Sequence, residues 1–170
     1  MKFCPMCGMP QLKAGLTACE FCDYEEKPIE ALGEREIREL MAPYEYERWE
    51  DGVRIVAVKN VRDVALRGGV HVPHFVTEIA EGAFSHCKFL SRIELPRTLR
   101  SIGEGAFAHC RDLFDVFLPA SVRRIGRGAF ADCYDLTVIR AAAPEQPDGW
   151  DGEWLADCDA KVAWSSADEA

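Results

Sequence analysis

The middle of the chain repeats one pattern every 23 residues. Three successive segments, beginning at Val72, read VPHFVTEIAEGAFSHCKFLSRIE, LPRTLRSIGEGAFAHCRDLFDVF and LPASVRRIGRGAFADCYDLTVIR. Equivalent positions hold the same residue types: Pro73, Pro96 and Pro119; Ile79, Ile102 and Ile125; Phe84, Phe107 and Phe130; Cys87, Cys110 and Cys133. Self-similarity at a fixed period indicates stacked units that bury their apolar sides against one another. The pattern therefore predicts a solenoid.

Each repeat contains a short alternating segment that predicts a β-strand. Where the first copy meets the second, Ile93 and Leu95 alternate with Arg92 and Glu94, as in a strand with one buried face. Pro96 follows and ends the strand, because proline has no N–H to continue a ladder of hydrogen bonds. We therefore expect Ile93 and Leu95 to point into the core and the two charged residues to point outward.

The rest of the repeat predicts a second extended piece and a turn. The segment LRSIG directs Leu99 and Ile102 inward, and the glycines at 103 and 105 allow a sharp change of direction. In the following segment Phe107, Cys110 and Leu113 recur every three residues, which predicts a single helical turn. One coil of the solenoid is then complete.

These repeats closely resemble the BspA-like leucine-rich repeat family, whose pattern is L..I.LP..V..IG..AF..C. The match runs from about Val70 to Ile139, while residues 49–69 are similar to the family's start and residues 143–164 to its closing module. The resemblance implies a mainly β fold: a short leucine-rich-repeat solenoid of three 23-residue repeats with N- and C-terminal caps. Family members include surface adhesins, so the resemblance also implies a protein-binding surface.

Two Cys-x-x-Cys pairs, Cys4 with Cys7 and Cys19 with Cys22, are separated by eleven residues. Together they predict a tetrahedral thiolate site for structural Zn²⁺, since four protein ligands leave no position open for substrate. The alternatives are redox dithiols, which lack a surrounding βαβ pattern, and a rubredoxin-like iron site, for which CEFCD lacks the expected glycine. The segment resembles the short zinc ribbons of many bacterial proteins, and the metal would replace a core that residues 1–24 are too few to form.

An acidic segment separates the cysteines from the repeats. Residues 20–51 hold twelve acidic and four basic residues, a net charge of −8 out of −9 for the chain. Apolar residues at helical intervals predict one helix at about 34–41, with a resumption through Trp49 as an alternative. We therefore divide the chain into a zinc ribbon (1–24), an acidic helical linker (25–48), the repeat domain with caps (49–164) and a tail (165–170).

Neither an export signal nor a long apolar run is readable in the chain, which predicts a cytoplasmic protein with no membrane partner. In that compartment Cys87, Cys110, Cys133 and Cys158 are expected to be free, buried thiols. His86 and His109 each precede a repeat cysteine, but we expect them to point outward instead of forming Cys/His dyads. No phosphate-binding loop and no distinctive carboxylate pair is present, so the sequence predicts no enzyme.

The predicted function is protein interaction through the outward side of the repeat strands. Phe117 is unusual among these outward residues, since a solvated strand face does not require an exposed aromatic ring. The alternative for this ring is coverage by the acidic helix or by a second copy of the chain. The predicted partner-binding residues are His71, Arg92, Glu94, Asp115, Phe117 and Arg140.

The runner-up function is nucleic acid association through the zinc ribbon and the arginines of the second extended piece. Those arginines are Arg100, Arg123, Arg124 and Arg127. The sequence pI of about 5.0 and the interleaved glutamates disfavour a phosphate backbone as the partner. The prediction is therefore a protein partner, with zinc as the single cofactor.

Overall fold

The computed structural model describes residues 2–3, 10–11, 32–49, 52–59 and 69–165. Over the last three of these ranges the chain winds into a stack of coils whose strands form two five-stranded sheets. A short antiparallel pair, β1 (Lys2–Phe3) and β2 (Pro10–Gln11), lies near the start of the chain. One helix, α1, spans Glu34–Leu40.

The first large sheet contains the strands that the repeat pattern predicts most clearly. The strands are β5 (Val70–His71), β7 (Arg92–Glu94), β9 (Asp115–Leu118), β11 (Val138–Ala141) and β12 (Lys161–Trp164). Their order in the sheet is β12-β11-β9-β7-β5, and all of the pairs are parallel. Ile93, Val116 and Ile139 lie in one register row, each 23 residues after the last. The sequence period is therefore the length of one coil.

The second large sheet contains the second extended piece of each coil. The strands are β3 (Tyr44–Trp49), β4 (Gly52–Val58), β6 (Val76–Ile79), β8 (Ser101–Ile102) and β10 (Arg124–Ile125). Their order in the sheet is β10-β8-β6-β4-β3, and the pairs are parallel except for the antiparallel pair of β3 and β4. Ile79, Ile102 and Ile125 form one row that points into the core.

Aromatic rings stack along the axis of the solenoid. Phe84, Phe107 and Phe130 are each at most 1% exposed, and successive ring centroids are 5.1 Å apart. Tyr44 packs edge-on against Phe84 at one end, and Trp154 packs edge-on against Phe130 at the other. The predicted phenylalanine column is thus confirmed and forms the centre of the core.

The third side of each coil is a run of turns, so the predicted helical turn is wrong. Gly105 and His109 both adopt left-handed backbone conformations, with φ of 56° and 62°. Two left-handed residues four positions apart prevent a right-handed helix from forming. The adjacent coils repeat this geometry, with His86 and Asp132 in the position of His109.

The repeat cysteines form a second buried column. Cys110 Sγ donates to the Phe84 carbonyl at 3.2 Å, and Cys133 Sγ donates to the Phe107 carbonyl at 3.1 Å. All of Cys87, Cys110, Cys133 and Cys158 are free thiols, as predicted, although Cys158 is only half-buried. Burial raises the pKa of the Cys133 thiol to about 12. The thiols act as small core residues that also satisfy backbone carbonyls.

We expect the buried thiols to react slowly with a thiol reagent in the native protein. At pH 8, Cys87, Cys110 and Cys133 should be labelled only on unfolding, because their sulfur atoms are buried. The half-buried Cys158 should be labelled first of the four. Peptide mapping by mass spectrometry after a timed pulse assigns each label, with urea-unfolded protein as the control. Native disulfides among these cysteines, or equally fast labelling of all four, would contradict this prediction.

The acidic segment contributes to the core of the repeat domain. Helix α1 agrees with the predicted helix and begins with a capping interaction, in which the Gly33 N–H donates to Glu36 Oε2 at 3.0 Å. Ile37 and Met41 are buried against the first coil. The alternative that the helix resumes through Trp49 is wrong, because Tyr44–Trp49 is strand β3. Residues 32–49 therefore cover one end of the solenoid.

The closing module forms a fourth, divergent coil. Trp150 bridges to Ile125, and β12 continues the first sheet in register with β11. Trp150 and Trp154 are buried, while Leu155 and Cys158 pack partly buried against the core. The module predicted as a cap thus extends both sheets by one more layer.

Candidate interaction surface

The outward side of the first sheet brings the predicted partner-binding residues together. His71 lies beside Glu94, Arg92 beside Asp115, and Phe117 beside Arg140 in the registers of the parallel strands. The strand phase is as predicted, because Ile93 and Val116 are at most 2% exposed. The six residues therefore lie on one face, although their role in binding stays a prediction.

Charged residues on this face pair with one another across the strands. Asp115 accepts a hydrogen bond from Arg140 Nη2 at 2.5 Å and forms an ion pair with Arg92, whose Nε lies 3.1 Å from Asp115 Oδ2. His71 Nδ1 lies 3.1 Å from Glu94 Oε2. The two arginine–aspartate ion pairs contribute little to folding, on the order of 0–1 kcal/mol each, because the arginine side chains are 40% and 59% exposed. Their main effect is to hold the charged side chains in fixed positions around the apolar part of the face.

Phe117 is 45% exposed in the middle of this face. Helix α1 packs at the end of the solenoid, so the alternative in which the acidic helix covers this ring is wrong within the described chain. Val138 on the next strand is 42% exposed, and Phe114, just before β9, is 51% exposed. The Arg92 guanidinium lies over the Phe114 ring at 5.9 Å, a cation–π contact.

Two further aromatic residues were missed by the sequence reasoning. Phe89 is 57% exposed, and Tyr134 is 65% exposed with the Arg111 guanidinium 5.7 Å above its ring. The Tyr134 hydroxyl donates to Asp132 Oδ1 at 2.8 Å, and this hydrogen bond is the main cause of its raised pKa. The sequence did contain a signal for both residues, because Phe89 and Tyr134 each occupy a repeat position at which the other two copies hold a charged residue.

Together these side chains define what we call the aromatic face. Its members are the exposed large hydrophobic residues of the described segments, namely Phe89, Phe114, Phe117, Tyr134 and Val138. Phe117 and Val138 lie on strands of the first sheet, Phe114 directly precedes β9, and Phe89 and Tyr134 lie in turns that follow the repeat cysteines. The strands of the second sheet contribute none of the five.

Of the arginines of the runner-up function, Arg124 lies in the second sheet, Arg100 and Arg123 directly precede β8 and β10, and Arg127 lies in the turn after β10. Arg124 on β10 lies in a row with Ser101 and Glu78, and Arg127 pairs with Glu153 at 2.7 Å. A shallow groove of about 440 Å³ beside Arg124 is also lined by Asp148 and Asp151. This mixture of charges is a poor match for a phosphate backbone.

The histidines beside the repeat cysteines do face outward. The rings of His86 and His109 stack with centroids 4.4 Å apart, and His109 Nδ1 lies 3.1 Å from Asp132 Oδ2. The Cys110 thiol instead donates to a backbone carbonyl, so it forms no dyad with His109. The backbone at His86, His109 and Asp132 is left-handed, and histidine and aspartate tolerate this conformation better than most residues. This explains why the position holds histidine or aspartate.

The predicted zinc ligands Cys4, Cys7, Cys19 and Cys22 lie outside the described residues. The described ranges themselves contain no cluster of His, Cys, Asp or Glu that could hold a metal ion. They also contain no helix with the length and apolar character needed to cross a bilayer. The cytoplasmic location inferred from the sequence stays a prediction.

Comparison with known proteins identifies similar repeats. Residues 68–145 match the family described as the BspA type leucine rich repeat region. A leucine-rich repeat protein from Bacteroides capillosus gives a TM-score of 0.58 at 25% identity, over 73% of this chain and 95% of that chain. A leucine rich cell surface protein from Faecalibacterium prausnitzii gives a TM-score of 0.50 at 19% identity, over 72% of this chain and 38% of that chain. At this identity the similarity supports the fold alone. No curated protein matches the chain.

Proposed function

Because residues 68–145 are a BspA-type leucine-rich repeat region, we propose that the chain is a non-enzymatic protein-interaction module that binds its partner through the aromatic face. Leucine-rich repeat proteins typically present an extended surface to another protein, since a solenoid exposes one side of every coil. The observation that carries the proposal is Phe117, a ring 45% exposed at the centre of a strand face.

The arrangement around Phe117 supports a protein as the partner. Aromatic residues at the centre of an interface supply most of its binding energy, while a polar rim excludes water and selects the partner. Here Phe114 and Val138 extend the apolar centre, and the pairs that Asp115 makes with Arg92 and Arg140 form the rim. The face is open, which suits a broad macromolecular contact better than a small molecule.

Replacing Phe117 with alanine is expected to weaken partner capture by about 2 kcal/mol or more, roughly thirtyfold in affinity. Its melting temperature should stay nearly unchanged, because the ring is half-exposed and outside the core. The measurement is quantitative crosslinking capture from native cell extract, followed by titration of the protein recovered. Arg123→Ala, which changes an exposed residue directly before β10 and away from the first sheet, is the control. A large fall in melting temperature with capture intact would show that Phe117 is a core residue.

We also propose that Cys4, Cys7, Cys19 and Cys22 bind one structural Zn²⁺. Four thiolates are the donors that a closed zinc site uses, and the metal would supply folding energy to a segment too short for a core of its own. The antiparallel pairing of β1 with β2 supports this, since these strands flank the segment that contains Cys4 and Cys7.

Elemental analysis of protein from zinc-replete medium is expected to give one zinc per chain. Cys19→Ser should lose that zinc and unfold residues 1–24, because three ligands no longer complete the shell. The solenoid should keep its melting temperature, since its core contains none of these cysteines. Cys158→Ser, which alters a thiol of the repeat domain, is the control for zinc content. Wild-type protein without zinc would contradict the proposal.

A further inference from the structure

The last strand of the first sheet, β12, has an open edge. The Lys161 N–H donates to the Thr137 carbonyl and the Ser165 N–H to the Ala141 carbonyl, both at 2.9 Å. Peptide groups of successive strand residues point to opposite sides, so those of Val162 and Trp164 point away from β11. Within the described ranges no strand pairs with that side of β12. An edge of this kind is a template for one more strand.

The side chains at this edge are incompletely covered. Val162 and Trp164 lie in register with Ile139 and Ala141, which are 0% and 3% exposed. Val162 and Trp164 themselves are only partly buried, although the Trp164 ring lies 5.7 Å from that of Trp150. In the earlier coils the inward side chains of each strand are covered by the next coil. At β12 this covering is incomplete, because Val162 and Trp164 stay partly exposed.

The opposite end of the solenoid is covered by α1 and β3. There α1 and β3 lie over the first coil, and Ile37, Met41 and Tyr44 are at most 3% exposed. The Tyr44 hydroxyl donates to the His71 carbonyl at 3.2 Å, which fastens this cover to β5. The described fourth coil has no comparable cover, so the two ends differ in what they can bind.

The open end is strongly acidic. Residues 148–165 contain five acidic residues and one basic residue, a net charge of −4. The acidic residues are all exposed, and they are Asp148, Asp151, Glu153, Asp157 and Asp159. Arg127 from the third coil pairs with Glu153, and Lys161 is the one base within the segment. A second copy of this chain would place like charges against each other, whereas a basic segment would be attracted.

We propose that the open edge of β12 binds an extended basic segment of a partner protein as a sixth strand. Backbone groups of that segment would pair with the free peptide groups of Val162 and Trp164, which is strand addition to a sheet edge. Every second side chain would cover Val162 and Trp164 and would be apolar. Lysine or arginine residues of that segment would be attracted by the exposed carboxylates of the fourth coil, of which Asp159 lies two residues before β12. This site is separate from the aromatic face.

The test is selection of short random peptides, displayed on phage, on the immobilised full chain. Val162→Pro serves for counter-selection, because it removes an N–H that donates nothing to β11 and proline is tolerated at such edge positions. Enriched peptides are expected to alternate apolar residues with lysine or arginine. Synthetic copies of these peptides should bind the Val162→Pro variant at least about tenfold more weakly than the wild type. N-methylation of alternate backbone amides in the peptides should lower their affinity for the wild type by a similar factor.

Ala163→Lys is a second variant, which keeps the backbone N–H groups of β12 and places a like charge on its outward, exposed side. It should also reduce binding, while Phe117→Ala should leave these peptides bound as in wild type. The proposal is overturned if no peptide is enriched over Val162→Pro, or if the enriched peptides are neutral or acidic. It is also overturned if sedimentation shows a dimer that Val162→Pro abolishes, or if deleting residues 166–170 raises peptide affinity, since the occupant would then be the chain itself.

Discussion

Phe107→Ala is expected to lower the free energy of unfolding by about 3–5 kcal/mol. The Phe107 ring is 0% exposed and stacks between Phe84 and Phe130, with centroids 5.1 Å away on each side. Alanine would leave a cavity at the centre of the column, and the coils above and below are held by ladder hydrogen bonds that prevent collapse into it. Urea unfolding followed by far-UV circular dichroism measures the change.

Phe89→Ala is the matched control for that experiment, because it makes the same chemical change on a ring that is 57% exposed. Its effect should stay within about 0.5 kcal/mol, as for most surface substitutions. Equal losses in the two variants would mean that the phenylalanine column does not stabilise the stack. A large loss in Phe107→Ala with a smaller m-value would instead indicate that coils unfold separately, as repeat arrays can.

Gly103→Ala is expected to cost about 3 kcal/mol, the upper part of the usual range for overpacking. A Cβ on Gly103 would lie 2.4 Å from the Glu81 nitrogen and 2.6 Å from the Ala80 carbonyl carbon. Both atoms are backbone of the preceding coil, so no side chain can rotate away and the two coils must separate. Thermal unfolding of the variant measures the loss.

Gly152→Ala is the control, since a Cβ on Gly152 meets nothing within 4 Å. Its melting temperature should match or slightly exceed that of the wild type. The first repeat has alanine, Ala80, at the position that glycine occupies in the later repeats. The neighbour of Ala80 is β4, which continues as a strand to Val58, whereas the later coils turn at the equivalent point. A neutral Gly103→Ala variant would show that the coils are less closely stacked than the structure describes.

The placement of the aromatic face limits which mutations can separate folding from binding. Phe117 and Val138 belong to strands whose neighbouring residues, Val116 and Ile139, are fully buried. A change of one position along β9 or β11 therefore moves a substitution from the surface into the core. Variants intended to test binding should be restricted to the outward residues of these strands.

The 23-residue period by itself determined the solenoid, the in-register strands and the direction of their side chains. Ile93 and Val116 are buried while Arg92 and Asp115 face outward, as alternation predicted. The phenylalanine and cysteine columns followed for the same reason. Each is a local pattern repeated at one spacing, and stacking identical coils brings identical positions together without any further information.

The tertiary structure alone decided the features that depend on contacts between segments of different sequence, which the repeat pattern does not describe. Residues 44–49 form a strand because β4 offers an edge for pairing, although their sequence was also compatible with a helix. The closing module became a fourth coil because Trp154 could continue the ring column where the repeats have phenylalanine. Exposure of Phe89 and Phe114, and the open edge of β12, likewise depend on which coil lies beside them. No single repeat contains that information.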